Sequence, residues 1–169
     1  VEDALAAEEQ LRPSGGVGDE QDRTLAATTF TVDVTDGRIL ESDIFFNSAF
    51  PWSVADGGAA DRFDVESIAL HEVGHLLGLS HSALGETELM SGGRRVIAAE
   101  AVMFPIAFSR GNIAARTLRA DDVAGISDIY GTGEFTREFG SIAGRVTKAG
   151  RGVKGAHVVA FATRTGKLV

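Results

Sequence analysis

Residues 71–81 read His71-Glu72-Val73-Gly74-His75-Leu76-Leu77-Gly78-Leu79-Ser80-His81. An α-helix puts positions i and i+4 on one face, so His71 and His75 are spaced to bind one metal ion together. Glu72 lies one residue further round, beside the ion and outside its ligand set. Gly78 tolerates positive φ and can end the helix, which lets the chain turn and bring His81 to the same ion from another direction. Three neutral imidazoles at about 2.0–2.1 Å suit zinc and leave a fourth tetrahedral position for water. Zinc lowers the pKa of that water toward ~7. Glu72 is then the general base: it takes the proton as the hydroxide attacks a carbonyl and passes it to the leaving amine, while the metal stabilises the oxyanion. The chemistry is hydrolysis of a peptide bond.

A lone histidine on an apolar helix is usually a core residue, and His-Glu-x-x-His alone recurs by chance. Here His71, Glu72, His75, Gly78 and His81 agree with a longer pattern, and all but one of the chain's 4 His fall in it.

Outward from this string, the sequence predicts a helix from about Asp64 to Gly78, with Asp64 or Ser67 as its cap. Thr28–Val34 alternates, with Phe30, Val32 and Val34 on one face, and reads as a strand. Asp36-Gly37 is a two-residue hairpin signal leading to a partner strand over about Arg38–Asn47. Glu2–Leu11, rich in Ala and Glu, is predicted helical and ended by Pro13, Ser14, Gly15 and Gly16. Residues 17–24 and Ser53–Asp61 are predicted loops, and Ser82–Leu118 a long irregular region. A second helix is expected from about Arg119 to Tyr130, where Val123, Ile126 and Ile129 recur at helical spacing.

The composition changes after Glu138. Residues 139–169 hold 6 basic side chains (Arg145, Lys148, Arg151, Lys154, Arg164 and Lys167) and none of the chain's 24 Asp and Glu. Ile142, Val146, Val153, Val158, Val159 and Phe161 alternate there, with glycine at the turns, as in strands. The whole chain has a formal net charge of -8, which argues against nucleic-acid partners, since these are held by Lys and Arg. No apolar run is long enough for membrane insertion. The absence of cysteine excludes disulfides, thiolate zinc sites and cysteine nucleophiles. Val1 is neither a Met start nor part of a signal peptide, which reads as a processed or truncated product.

The 71–81 pattern is the metzincin signature, which a Met-turn follows, and the chain resembles the matrixins, the matrix-metalloproteinase-like branch (peptidase family M10), of bacterial type. Asp64–Ser82 resembles their active-site helix. Ala101-Val102-Met103-Phe104-Pro105 is similar to their Met-turn, Leu118–Gly131 to their C-terminal helix, and Glu41–Asn47 to the strand lining their substrate cleft. The resemblance implies an α+β fold: a small twisted sheet on the active-site helix, with the C-terminal helix in a subdomain below the zinc. It makes Met103, and not Met90, the hydrophobic floor under the metal. It implies a substrate-pocket wall of Pro105, Ile106, Ala107 and Phe108, apolar throughout, with Ala107 where the family usually has Tyr. It implies one catalytic Zn2+, protein or peptide substrates, and a secreted protein.

Other family features are absent or altered. Gly57–Val65 is short beside the matrixin loop for a second zinc, and the remaining histidine, His157, lies in the tail. Asp56, Asp61 and Asp64 offer carboxylates to a possible Ca2+, although a solvated acidic loop is the plainer reading. Glu2–Leu11 would be the family's first helix, with the strand before it missing. No Tyr shortly after Met103 serves as an extra ligand, as it does in astacins and serralysins, and Tyr130 reads as core. The expected domains are a matrixin-like catalytic domain over 1–134 and, over 140–169, the opening strands of a β-sandwich resembling carboxypeptidase-regulatory-like modules. Two rivals remain: an inactive metzincin-fold binding module of a secreted or surface protein, against which the retained Glu72 argues, and a peptidase of another metzincin branch.

Overall fold

The structure is a computed structural model that describes residues 4–11, 24–91, 93–99, 101–138, 140, 142–154, 156, 158, 160 and 162–165. The chain divides into two compact units, residues 1–126 and 127–169.

The first unit is built on a three-stranded antiparallel sheet in the order β1-β2-β3: β1 (Ala4–Leu11), β2 (Ala26–Asp33) and β3 (Ile39–Phe46). β2 is the middle strand, with Thr28 opposite Glu9 on one side and Ile44 on the other. The connection after β2 is longer than the expected two residues. The Asp33 N–H donates to the Arg38 carbonyl, and the Gly37 N–H to the Asp33 carbonyl, so residues 34–38 form the loop. Asp33 is an acceptor for the Thr35 N–H and hydroxyl, and this side-chain turn lengthens the loop.

β1 corrects the helix predicted over Glu2–Leu11. Ala and Glu favour helices, but by tenths of a kcal/mol per residue, and pairing Ala4–Leu11 along the whole of β2 satisfies their backbone groups in a ladder instead. Leu11 at its end is buried beside Leu25, Ala26, Phe63 and Ile68, with Phe50, Trp52 and Ala107 packed against that cluster. The expected breakers Pro13–Gly16 and most of the predicted 17–24 loop lie outside the described residues.

Two short parallel strands, β4 (Trp52–Ser53) and β5 (Phe63–Asp64), lead into helix α1 (Val65–Leu76). Asp64 is its N-cap: the carboxylate accepts from the Ser67 N–H at 2.9 Å and the Ser67 hydroxyl at 2.7 Å. A cap of this kind contributes about 1 kcal/mol. Gly78, at φ 96°, closes the C-terminal end, where the Leu79 N–H reaches the Gly74 carbonyl and the Gly78 N–H the His75 carbonyl. This left-handed exit satisfies carbonyls that the helix leaves open. The face of β2 toward α1 carries small buried residues, Ala26 and Thr28, so helix and sheet come close.

The region predicted as irregular over Ser82–Leu118 contains an antiparallel hairpin, β6 (Gly85–Met90) and β7 (Gly93–Ala99), and a 3-10 helix, Ala114–Arg116. The hairpin is held by cross-strand pairing, including an ion pair between Arg95 and Glu88. Helix α2 (Ala120–Tyr130) follows where expected. Its apolar spacing does not mark a core face, because Val123 and Ile129 are exposed; Tyr130, expected in the core, is 61% exposed.

The second unit takes the last turn of α2 and adds a short helix α3 (Phe135–Glu138) and a small hairpin, β8 (Thr147–Lys148) and β9 (Arg151–Gly152). Ala149 and Gly150 turn that hairpin with φ of 51° and 76°, the left-handed pair typical of a tight hairpin. Val159, Phe161 and His157 lie outside the described residues. No helix among the described residues is long and apolar enough to cross a membrane.

Candidate metal centre

His71 and His75 project from adjacent turns of α1, one turn apart as the i, i+4 spacing requires, and both are buried. The turn at Gly78 returns the chain so that His81 joins them. One ring nitrogen from each of the three lies within 4.8 Å of the others. The ring centroids form a compact triangle with edges of 4.7, 4.8 and 5.3 Å.

The backbone fixes how two of these rings face inward. His71 Nδ1 lies 2.7 Å from the Val102 carbonyl, and His75 Nδ1 lies 2.7 Å from the Leu79 carbonyl. A carbonyl only accepts, so each Nδ1 carries the hydrogen and each Nε2 presents a lone pair. The two Nε2 atoms are 3.1 Å apart. Ligands on tetrahedral arms of 2.0–2.1 Å would stand about 3.3 Å apart. Two facing lone pairs at that spacing, with a third imidazole closing the triangle, fit a zinc ion. Burial holds the His71 pKa well below its ordinary 6.5, at about 3; the Val102 contact opposes this, and the His75 and His81 charges add to it. The His71 imidazole is therefore kept in the neutral form that a metal binds.

Glu72 is fully buried under the sheet. The hydroxyl of Thr28, on β2, lies 2.6 Å from Glu72 Oε2 and 3.1 Å from the Glu72 carbonyl. Nothing in the local sequence marked the role of Thr28; its place at the start of a strand with period-2 alternation, on the face of Phe30 and Val32, was the one available sign.

Met103 is 3% exposed, whereas Met90 is 49% exposed on the β6–β7 hairpin. A Cβ on Gly74 would overlap the Met103 sulfur and crowd its methyl carbon, so the absence of a side chain at Gly74 is what lets Met103 lie against α1 between the turns bearing His71 and His75. The segment around Met103 is tied down on every side. Asp122 of α2, buried, accepts from the N–H groups of Val102 at 2.9 Å, Met103 at 3.2 Å and Arg119 at 2.8 Å. The Met103 carbonyl accepts from the Ser82 N–H at 2.9 Å, and the Ser82 hydroxyl donates to Asp121 at 2.7 Å. With the Val102 carbonyl on His71, the third ligand's neighbour, the Met103 turn and the start of α2 form one hydrogen-bonded circuit around the imidazoles. Asp122 was visible in the sequence as part of a helix, and its carboxylate's role was not.

Beside His71 lies a cleft walled by Phe63, Ile68, Val102, Ile106, Ala107 and Phe108 among others. Of the wall expected from the sequence, Ile106, Ala107 and Phe108 line it and Pro105 does not. Phe104, next to Met103, takes its place while also packing against Gly85 at the base of β6.

The acidic residues offered to calcium are placed differently from one another. Asp64 is buried and paired with Arg116: the guanidinium donates to Asp64 Oδ1 at 2.5 Å and Oδ2 at 2.9 Å, to the Ala55 carbonyl at 2.8 Å and to the Asp56 carbonyl at 3.1 Å, with Glu66 at 3.2 Å. Burial pushes the Asp64 pKa up, and the bonds from Arg116 and Ser67 outweigh it, leaving the carboxylate below its ordinary value. Asp56 contributes its carbonyl here, and Asp61 is exposed.

Comparison with known proteins gives the family. The matrixin family of peptidases (M10) matches residues 9–131. Metalloendoproteinase 4-MMP of Arabidopsis thaliana is 29% identical over 119 residues, 69% of this chain and 29% of that protein. Metalloendoproteinase 5-MMP of the same plant is 36% identical over 87 residues, 47% of this chain and 20% of its own length. Matrix metalloproteinase-2 of Drosophila melanogaster is 36% identical over 96 residues, 56% of this chain and 10% of its own. The chain thus spans under a third of each of these relatives. No solved structure matches it.

Proposed function

The chain belongs to the matrixin family, and we propose that within it this chain is a zinc-dependent endopeptidase acting on exported or extracellular protein and peptide substrates. The observation that carries the reading is the convergence of three imidazoles on one point, two of them oriented by backbone carbonyls. His71, His75 and His81 hold the ion. Zinc, when bound, supplies Lewis acidity that activates water and polarises the scissile carbonyl. Glu72 accepts the water's proton and delivers it to the leaving nitrogen. Met103 forms the floor beneath the imidazoles, soft enough to fill an irregular space.

The cleft beside His71 receives the side chain that follows the scissile bond. Its wall of Ile106, Ala107 and Phe108 favours apolar side chains at about 25 cal/mol per Å² buried. We assign the catalytic domain to residues 1–134 and the start of a separate β module to 140–169. No calcium is assigned to Asp64, whose oxygens Ser67 and Arg116 engage.

The test is hydrolysis of a quenched fluorogenic peptide library by the zinc-loaded protein and by Glu72→Gln. The wild type should cleave before apolar residues. Glu72→Gln should keep its zinc and lose about 10²–10⁴-fold in rate. A variant as fast as the wild type, or a dominant preference for Asp, Glu, Lys or Arg after the cut, would overturn the assignment.

A further inference from the structure

We infer that Thr28 is a positioning residue for Glu72, a role that rests on the peptidase reading for its catalytic meaning and on geometry alone for the contact. Both side chains are fully buried and are 44 residues apart in sequence. The Thr28 hydroxyl has one hydrogen and faces two acceptors, Glu72 Oε2 at 2.6 Å and the Glu72 carbonyl at 3.1 Å. The shorter contact takes the hydrogen. A separation of 2.6 Å lies in the range of a hydroxyl bonded to an ionised carboxylate, about 2.5–2.7 Å, a bond roughly twice as strong as its neutral counterpart. The contact therefore fixes one oxygen of the Glu72 carboxyl group against the middle strand.

The donor is held as firmly as the fold allows. Thr28 lies in the middle strand, paired with Glu9 and Ile44 on its two sides, and its β-branched side chain has few rotamers. A glutamate side chain has three rotatable bonds, and anchoring one oxygen removes most of their freedom. Catalytic groups misplaced by about 1 Å lose on the order of 10²-fold in rate. The Glu72 carbonyl, at 3.1 Å from the same hydroxyl, shows how closely the strand approaches α1 next to His71.

Thr28→Val keeps the side-chain shape and removes the donor; Thr28→Ser keeps the donor. Thr28→Val should lower kcat about 10–100-fold with KM within about two-fold and zinc stoichiometry unchanged, while Thr28→Ser stays within about three-fold of wild type. The infrared carboxylate band that disappears in Glu72→Gln should shift in Thr28→Val and not in Thr28→Ser. An unmoved band, a serine variant as slow as the valine variant, or loss of zinc from the valine variant with kcat retained in the remainder would overturn the inference. A wild-type protein that cleaves nothing would count against the peptidase reading, and the infrared comparison would still decide the contact.

Discussion

The two ends of α1 gather buried polar groups in opposite ways. At its N-terminal end Asp64 brings a negative charge into the protein, and Arg116 answers it with a guanidinium that also takes the carbonyls of Ala55 and Asp56. About two turns further along, at His71, three imidazoles, of His71, His75 and His81, come together with no internal cation among their contacts given by the structure. The first end carries its own counter-charge and is complete within the chain. The second is a donor set for an ion that comes from outside. Charge neutralisation by the chain suits a structural joint, and a cluster of neutral donors suits a reaction centre that must keep a ligand position open.

The comparison breaks most sharply at the histidines. His75→Ala should abolish stoichiometric zinc binding, a larger loss than the ~10–100-fold in affinity that follows removal of a hydrogen bond to a ligand. Metal analysis of the purified variant checks this, and full zinc occupancy would contradict the assignment. Next in size, Arg116→Ala should destabilise the fold by about 3 kcal/mol, because it leaves a buried carboxylate without its partner, and yet leave zinc stoichiometry at one per chain. Urea unfolding with and without millimolar Ca2+ is the measurement. Restoration of the wild-type midpoint by Ca2+ would mean that the joint accepts a metal after all.

Gly74→Ala should cost about 1–3 kcal/mol by forcing Met103 off α1 and should weaken zinc binding, which titration against a chelator of known affinity would report. The smallest effect separates the two ends by pH. Unfolded His71 takes up a proton below its ordinary 6.5 and the folded one not until about 3. In metal-free protein this contribution is therefore full above ~6.5 and is lost progressively as pH falls toward 3. Asp64 is shifted the other way, below 3.8, and its contribution is lost only under that value. The urea midpoint of metal-free protein should thus decline between pH 7 and 4.5 on account of the imidazole end alone, and a flat profile there would refute it.

What the sequence disclosed follows from how far each feature reaches along the chain. The ligand spacing, the Gly78 exit and the Asp64 cap are set within a few residues, and they are legible. So are the alternation of β2, the turn signal that leads to β3, and the position of α2. β1 was misread because its Ala and Glu favour a helix locally, while the pairing that decides its state lies 15–29 residues away in β2. The β6–β7 hairpin was missed although Ser91-Gly92 stands between two strand-like runs; the charged Glu88 and Arg95 disguised them. The roles of Thr28, Asp122 and Arg116 escaped notice for one reason. Each is an ordinary residue whose importance comes from a partner 19–52 residues distant, and no local pattern encodes a meeting of that kind.

The bond from Ser82 to Met103 has a consequence for how this protein can change. It ties the chain immediately after the last imidazole directly to the methionine turn, so the twenty residues between form an excursion whose two ends are already pinned. The tip of that excursion is exposed at Leu89 and Met90, whereas Val96 nearer its base is buried. Surface turns of this sort accept insertions readily. The tip near Ser91 is accordingly the place where lineage or engineer could lengthen, shorten or decorate the protein and leave its chemistry untouched.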